Sequence, residues 1–328
     1  MSDRLAELQR WLHDELGLKG FSIVPASSDA SFRRYFRVTG GKQTYIVMDA
    51  PPDKEDCGPF IAIAAAMADL GLNVPHIMET DLRRGFVLMS DLGSVHYLQA
   101  LNEGNAERLY GDAMRALRLL QTASVDDAGL PAYDRALLLR EMALFRDWYL
   151  ARHLRVTMSE ALSEVLEGIF AFLADEALGQ PQVWVHRDYH SRNLMITDTH
   201  NPGILDFQDA VIGPVTYDLV SLLRDCYVRW PQERVTGWLC DYLAVSQAAG
   251  VLSDVDERQF VRWFDLMGVQ RHLKASGIFA RLNHRDGKSG YLQDIPRTLG
   301  YIAEVGDRYA ELNPLVKILE PILKSKTI

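Results

Sequence analysis

The stretch from Val183 to Asp209, VWVHRDYHSRNLMITDTHNPGILDFQD, restricts the possible folds of this chain more than any other segment. Three short apolar, β-branched or aromatic bursts, 183–185, 194–197 and 204–207, predict strands, and Asn201, Pro202 and Gly203 supply the turn between the second and third. Between the first two bursts runs His186-Arg187-Asp188-Tyr189-His190-Ser191-Arg192-Asn193, so a carboxylate and an amide five residues apart share one loop. A second carboxylate, Asp206, follows Asn193 by thirteen residues, across the hairpin. This spacing is able to gather three oxygen-bearing side chains at the ends of short strands.

Phosphoryl transfer needs such a set. The attacking hydroxyl requires an acceptor for its proton, and Mg²⁺ requires hard oxygen ligands while it neutralises a triphosphate. Asp188 suits the first task, and Asn193 and Asp206 the second. The pattern H-x-D-x-x-x-x-N, followed by a strand pair and Leu-Asp-Phe, resembles the catalytic and metal-binding loops of eukaryotic-like kinases. HRDYHSRN taken with LDFQD and YDL is most similar to the aminoglycoside phosphotransferase branch. Within that branch, SSDASFRRYFRV, VMDAPP and RHLKASGIFARLNHRDGK resemble the bacterial anomeric kinases of N-acetylmuramate and N-acetylglucosamine used in cell-wall recycling.

The resemblance implies an α+β, protein-kinase-like fold of two lobes: a small β-rich nucleotide-binding lobe over residues 1–90, and a larger, mainly helical catalytic and substrate-binding lobe over 91–328. It also implies ATP and Mg²⁺ as cofactors and an amino sugar as acceptor. The same scaffold handles choline, homoserine and aminoglycosides, so another small acceptor stays open, as does a nucleotide-binding pseudokinase.

Charge and composition agree with a small-molecule substrate. The formal net charge of −9 opposes sequence-independent nucleic-acid binding, which needs an excess of Lys and Arg. The opening MSDRLAELQRW has no apolar core, and the longest apolar run is far short of a membrane span, so a soluble, cytoplasmic protein away from membranes is expected. A monomer is expected as well. Three widely spaced cysteines suggest neither a disulfide framework nor a zinc site.

In the N-terminal part, strand-like segments 21–25 and 32–38 flank a loop whose Ser28, Asp29 and Ser31 are small enough for backbone N–H groups to approach phosphate. The family's strand lysine and helix glutamate fall at Met48 and Phe60. Replacing both members of an ion pair by apolar groups strands no charge. Arg33 and Arg34, with Arg37 nearby, are the candidates to hold phosphate instead, against a plain reading as a solvated strand face. Ser90, Asp91 and Leu92 match the family's hinge beside the adenine.

Further along, helical periodicity covers 106–121, 134–153, 159–177, 217–227, 237–249 and 257–282. By resemblance, His186 frames the catalytic loop and Asp218 braces it, while Asp209 either reaches substrate or caps a turn. On the helix 257–282, Arg271, Lys274 and Arg281 share a side with Trp263, Phe264 and Met267. A cation on an apolar face needs a partner, either a protein carboxylate or an anionic ligand. The resemblance suggests the lactyl carboxylate of N-acetylmuramate.

Overall fold

The computed structural model describes residues 2–27, 32–125 and 129–324. From the N-terminus, helix α1 (Ser2–Arg10) runs into a π-helical turn, Trp11–Glu15. Strands β1 (Ser22–Ser27), β2 (Arg34–Gly40) and β3 (Gln43–Asp49), helix α2 (Gly58–Asp69), strands β4 (Ile77–Asp81) and β5 (Phe86–Ser90), and the short α3 (Tyr97–Ala100) follow. The strands form one antiparallel sheet in the order β1-β2-β3-β5-β4. Alternation along β2 buries Phe36 and Val38, which join Leu8, Trp11 and Leu12 of the N-terminal helix and Val47, Phe86 and Leu88 in one core.

Strand β4 has no counterpart in the sequence reading. It lies at the sheet edge with Met78, Glu79 and Thr80 exposed, so it lacks the apolar alternation that marks half-buried strands. Met48 and Phe60, the apolar residues at the missing ion-pair positions, are both buried, and Phe60 stacks on Phe207 at 5.0 Å between centroids.

The remaining elements are α4 (Ala106–Gln121), α5 (Arg135–Leu144), which continues as a π-helical stretch over Phe145–His153, and α6 (Glu160–Leu178). Then come β6 (Gln182–Val185), β7 (Leu194–Met195), β8 (Gly203–Ile204), β9 (Val211–Pro214), α7 (Tyr217–Leu223), α8 (Gln232–Ala248), α9 (Glu257–Asp286), α10 (Ile295–Gly306) and α11 (Asn313–Lys324). The chain is α+β, β-rich at its start and mostly helical afterwards. The three apolar bursts of the central stretch do carry strands. Two of these strands are only two residues long, and β6 pairs with the unanticipated β9 while β7 pairs with β8.

Helix α9 begins where Asp256 Oδ1 accepts the Gln259 N–H at 2.8 Å, and it ends at Gly287, whose φ of 68° suits a residue without a Cβ. The helix is buried on every side through its middle, Asp265, His272 and Ser276 included, so the expected division into an apolar and an opposite face does not hold. Asp265, His272 and Ser276 survive inside because each meets a partner, Ser276 by donating to the His272 carbonyl at 2.8 Å. Asp265 takes Arg224, Arg308 and Tyr309, and His272 Nε2 donates to the Arg224 carbonyl at 2.9 Å. Gly277 does not interrupt the helix. A Cβ there would lie 2.3 Å from the Leu144 carbonyl carbon, so the glycine lets α9 pass against the end of α5.

The chain divides into two compact units: Met1–Ala100 with Leu194–Gln208, and Leu101–Asn193 with Asp209–Ile328. The β7–β8 hairpin belongs to the first. There Ile204 N–H donates to the Asn73 carbonyl and Ile196 N–H to the Val95 carbonyl, both at 2.8 Å, and Asn201 Nδ2 donates to Tyr97 Oη at 2.7 Å.

Candidate active site

In the second unit, the loop 186–193 leaves the end of β6 and is held by two buried aspartates. Asp218, in the first turn of α7, accepts the backbone N–H of His186 at 2.6 Å and that of Arg187 at 2.9 Å. Asp225, seven residues on, accepts Ser191 N–H at 2.9 Å and Tyr227 N–H at 2.8 Å. Tyr189 is buried and donates its hydroxyl to the Ala113 carbonyl. Within the loop, His186 Nδ1 accepts the Asp188 N–H at 3.2 Å. Asn193 Nδ2 donates to the Asp188 carbonyl at 3.0 Å, which orients the amide with Oδ1 as its oxygen donor. These bonds leave the Asp188 carboxylate outside the internal bracing.

That carboxylate is 42 % exposed and lines a pocket of about 90 Å³ with His190, Tyr217, Cys226, Tyr227, Arg271, Lys274, Ile278 and Phe279. Desolvation raises the Asp188 pKa, but Lys274, His190, Arg271 and Arg187 outweigh it and hold the carboxyl below its usual value. Asp188 is therefore ionised at neutral pH, as a proton acceptor must be. Burial pulls the His190 imidazole down against Asp225 and Asp188, which keeps it neutral. Burial pushes Asp218 up to about 7, against the pull of its two N–H donors.

The three cations expected on α9 divide. Lys274 is 7 % exposed and meets Glu141 Oε1 at 3.0 Å and Tyr217 Oη at 2.9 Å. Glu141 also accepts from Arg187 and Tyr133, and these positive neighbours hold its carboxyl low despite desolvation. Arg271 is 5 % exposed, its Nη1 reaches only Cys226 Sγ at 3.6 Å, and its buried Nε has no acceptor. Arg281 is half-buried and is not among the pocket residues. Asp209 is exposed, and its carbonyl accepts from Arg187 at 3.4 Å.

In the first unit, Asp206 adopts a left-handed φ of 64°, and its Oδ1 accepts Gln208 Nε2 at 2.8 Å. Among the described residues, no group of three His, Cys, Asp or Glu side chains is placed to hold a metal ion. Mg²⁺ typically takes one or two carboxylates and fills its octahedron with water and phosphate oxygens, so it does not depend on such a group. Asn193 and Asp206 carry oxygens of that hard type. Ser28, Asp29 and Ser31 lie outside the described residues. Arg33 pairs with Glu55 at 3.1 Å, Arg34 with Asp49, and Arg37 with Asp91 at 2.6 Å, so each guanidinium faces a carboxylate of its own unit. At the expected hinge, Ser90 N–H donates to the His76 carbonyl at 2.9 Å and Asp91 accepts Gly93 N–H at 3.0 Å. Leu92 abuts Gly203 of the hairpin, where an added Cβ would stand 3.0 Å from Leu92 Cδ1.

The sequence reading passed over Glu141, Asp225, Cys226 and Tyr217. Two of them left a signal. Asp225 follows Asp218 by two helical turns, and Glu141 interrupts the apolar series Leu138, Met142, Phe145.

The sequence pattern described as "Phosphotransferase enzyme family" matches residues 22–286. An N-acetylmuramate/N-acetylglucosamine kinase of Pseudomonas putida is 49 % identical over 326 residues, 96 % of each chain. One of the same name from Pseudomonas aeruginosa is 51 % identical over 298 residues, 90 % of this chain and 87 % of that one. Among solved structures, the ADP-bound aminoglycoside phosphotransferase APH(2'')-Ib superposes with a TM-score of 0.60 at 15 % identity, covering 92 % of this chain and 98 % of its own. That similarity shows a kinase-like fold shared across wide sequence divergence. With a match that spans the β-rich sheet, the loop 186–193 and all of α9, the chain belongs to the phosphotransferase enzyme family.

Proposed function

We propose that this protein is an ATP-dependent, cytoplasmic kinase that phosphorylates the anomeric hydroxyl of N-acetylmuramate and N-acetylglucosamine in cell-wall recycling. The observation that carries the choice of acceptor is the charge around Asp188. Arg271 lines the pocket with no carboxylate in ion-pair contact among the described residues, and Lys274 and Arg187 share Glu141. Such a lining offers a cation to the carboxylate of an acidic sugar, a group that polycationic aminoglycosides and quaternary amines lack. The names of the relatives at 49 % and 51 % identity support the same acceptors.

In this reading Asp188 accepts the proton of the attacking hydroxyl, and its depressed pKa keeps it ready for that task at neutral pH. Asn193 and Asp206 are the residues that would supply oxygens to Mg²⁺, and the ion would neutralise phosphate charge. His186 and Asp218 keep the loop in shape. Residues 1–90 serve the nucleotide and 91–328 the acceptor, with Ser90, Asp91 and Leu92 beside the base. Arg33 and Arg34 are proposed near the phosphates, although Glu55 and Asp49 already compensate their charge. The protein acts as a monomer. Among the described residues, no helix is long and apolar enough to cross a membrane.

An ADP-release assay over N-acetylmuramate, N-acetylglucosamine, choline and an aminoglycoside tests the reading. ADP is expected with the two sugars alone, and Asp188→Ala is expected to lower turnover by roughly 10² to 10⁴ while nucleotide affinity stays close to that of the wild type. Turnover of a cationic acceptor in place of the sugars would overturn it.

A further inference from the structure

The two acceptors differ at one position that matters electrostatically. N-acetylmuramate carries a lactyl ether ending in a carboxylate, and N-acetylglucosamine has a hydroxyl there. A kinase of both must seat a negative charge when it comes and tolerate its absence. We propose that Arg271 is the residue that distinguishes them, by pairing with the acceptor's carboxylate. The inference rests on the proposed function and assigns to one side chain what the sequence distributed over three.

Charge accounting within the second unit separates these three. The Lys274 charge is answered by Glu141 at 3.0 Å, and Arg187 shares the same carboxylate. Lys274 and Arg187 thereby tie the catalytic loop to α5 and α9. Arg281 is half-buried and does not line the pocket. Arg271 is 95 % out of solvent, since only 5 % of it is exposed, and its side-chain contact is the thiol of Cys226 at 3.6 Å. Its Nε is buried without an acceptor. Asp188 and Asp225 act on the guanidinium from beyond ion-pair distance, and a desolvated guanidinium with no carboxylate in direct contact is placed to take an anion that arrives with the ligand. The planar fork of Arg suits a carboxylate in particular.

The pocket also says which end of the ligand enters. At about 90 Å³ it is far below the roughly 300–1,000 Å³ that enclose a whole drug-sized ligand, so only part of a sugar is engulfed. Its walls combine Asp188, the proton acceptor, with Tyr217, Tyr227, Ile278 and Phe279. Apolar and aromatic walls suit a sugar and its acetamido or lactyl methyl better than a triphosphate. The guanidinium therefore faces the acceptor. The Cys226 thiol explains tolerance of the neutral sugar: it is a weak acceptor that yields readily to a carboxylate and gives Arg271 a resting contact when none is present.

Steady-state kinetics of Arg271→Gln and Cys226→Asp with both sugars test the assignment. The first variant removes the charge, and the second supplies an internal carboxylate beside it. In each, KM for N-acetylmuramate is expected to rise by roughly tenfold to a hundredfold, and by at least tenfold more than KM for N-acetylglucosamine. Arg271→Lys, which keeps the charge without the fork, is expected to recover part of the loss. N-acetylglucosamine turnover in the same preparations reports whether the fold is intact. Equal losses on both sugars, or a loss confined to kcat, would overturn the assignment while leaving the kinase reading in place. A wild-type protein that phosphorylates neither sugar would overturn the kinase reading, and this assignment with it.

Discussion

At the scale of single residues, Asp188 and Asp218 show one carboxyl held ionised on the loop 186–193 and another, which braces that loop, held close to neutrality. Positive neighbours keep Asp188 low, and its bracing leaves the carboxylate facing the pocket. Asp218 is fully buried, and burial raises it to about 7. An unfolded aspartate titrates near about 3.9, so between about pH 4 and pH 7 the folded state binds a proton that the unfolded chain has lost. The resulting stability is fully present below the unfolded value and is lost as pH rises through about 7. Deprotonation has the opposite effect on function, because the carboxylate is the better acceptor for the His186 and Arg187 N–H groups. Denaturant titrations from pH 4 to 8 are expected to show the wild type losing stability with rising pH relative to Asp218→Asn, while its turnover rises over the same range. A stability difference that does not change with pH would show that Asp218 is ionised throughout.

At the scale of elements, α9 and α5 converge on the catalytic loop through one buried carboxylate. Glu141 of α5 meets Lys274 of α9, Arg187 of the loop and Tyr133. Arg187 holds a left-handed φ of 77°, a conformation that costs a non-glycine residue roughly 1–2 kcal/mol and persists because its side chain and backbone N–H are both tied down. Glu141→Gln keeps the shape and removes the charge that two cations share. It is expected to lower stability by about 3–5 kcal/mol, the range for breaking a buried pair, and to lower kcat as the loop loosens. An unchanged melting temperature would show that Lys274 and Arg187 find other partners. The sequence revealed less of this layer than of the loop. The loop bonds Asn193 to Asp188 and Asp188 to His186 are local, and local spacing is what a motif records. The Lys274–Glu141 contact joins two helices far apart in the chain, and neither helix's own sequence names its partner. For the same reason the all-round burial of α9 was missed: periodicity sees one apolar face, but the polar face is buried through Arg224, Arg308 and Tyr309. Short strands were legible where turn residues bounded them, as at Asn201–Gly203. They were not legible where an edge strand such as β4 carries exposed polar residues.

At the scale of the whole molecule, the fold places its chemistry-bearing residues in two units that the chain enters twice each. Asp188, Asn193, Arg271 and Lys274 belong to one, and Asp206, Ser90, Asp91, Leu92 and the pairs made by Arg33, Arg34 and Arg37 belong to the other. The loss of the strand lysine and helix glutamate is coherent at this scale, because Met48 and Phe60 are absorbed into the core of the first unit, where Phe60 stacks on Phe207. Replacing both members of the pair by apolar groups leaves neither charge without its partner. The central claim is that the hydroxyl activated beside Asp188 is the anomeric one. ³¹P and ¹H NMR of the product formed from N-acetylmuramate with MgATP tests it most directly. The account predicts a phosphate coupled to the proton on C1, formed together with ADP. A phosphate on any other sugar carbon, or ADP release without a phosphorylated sugar, would contradict it.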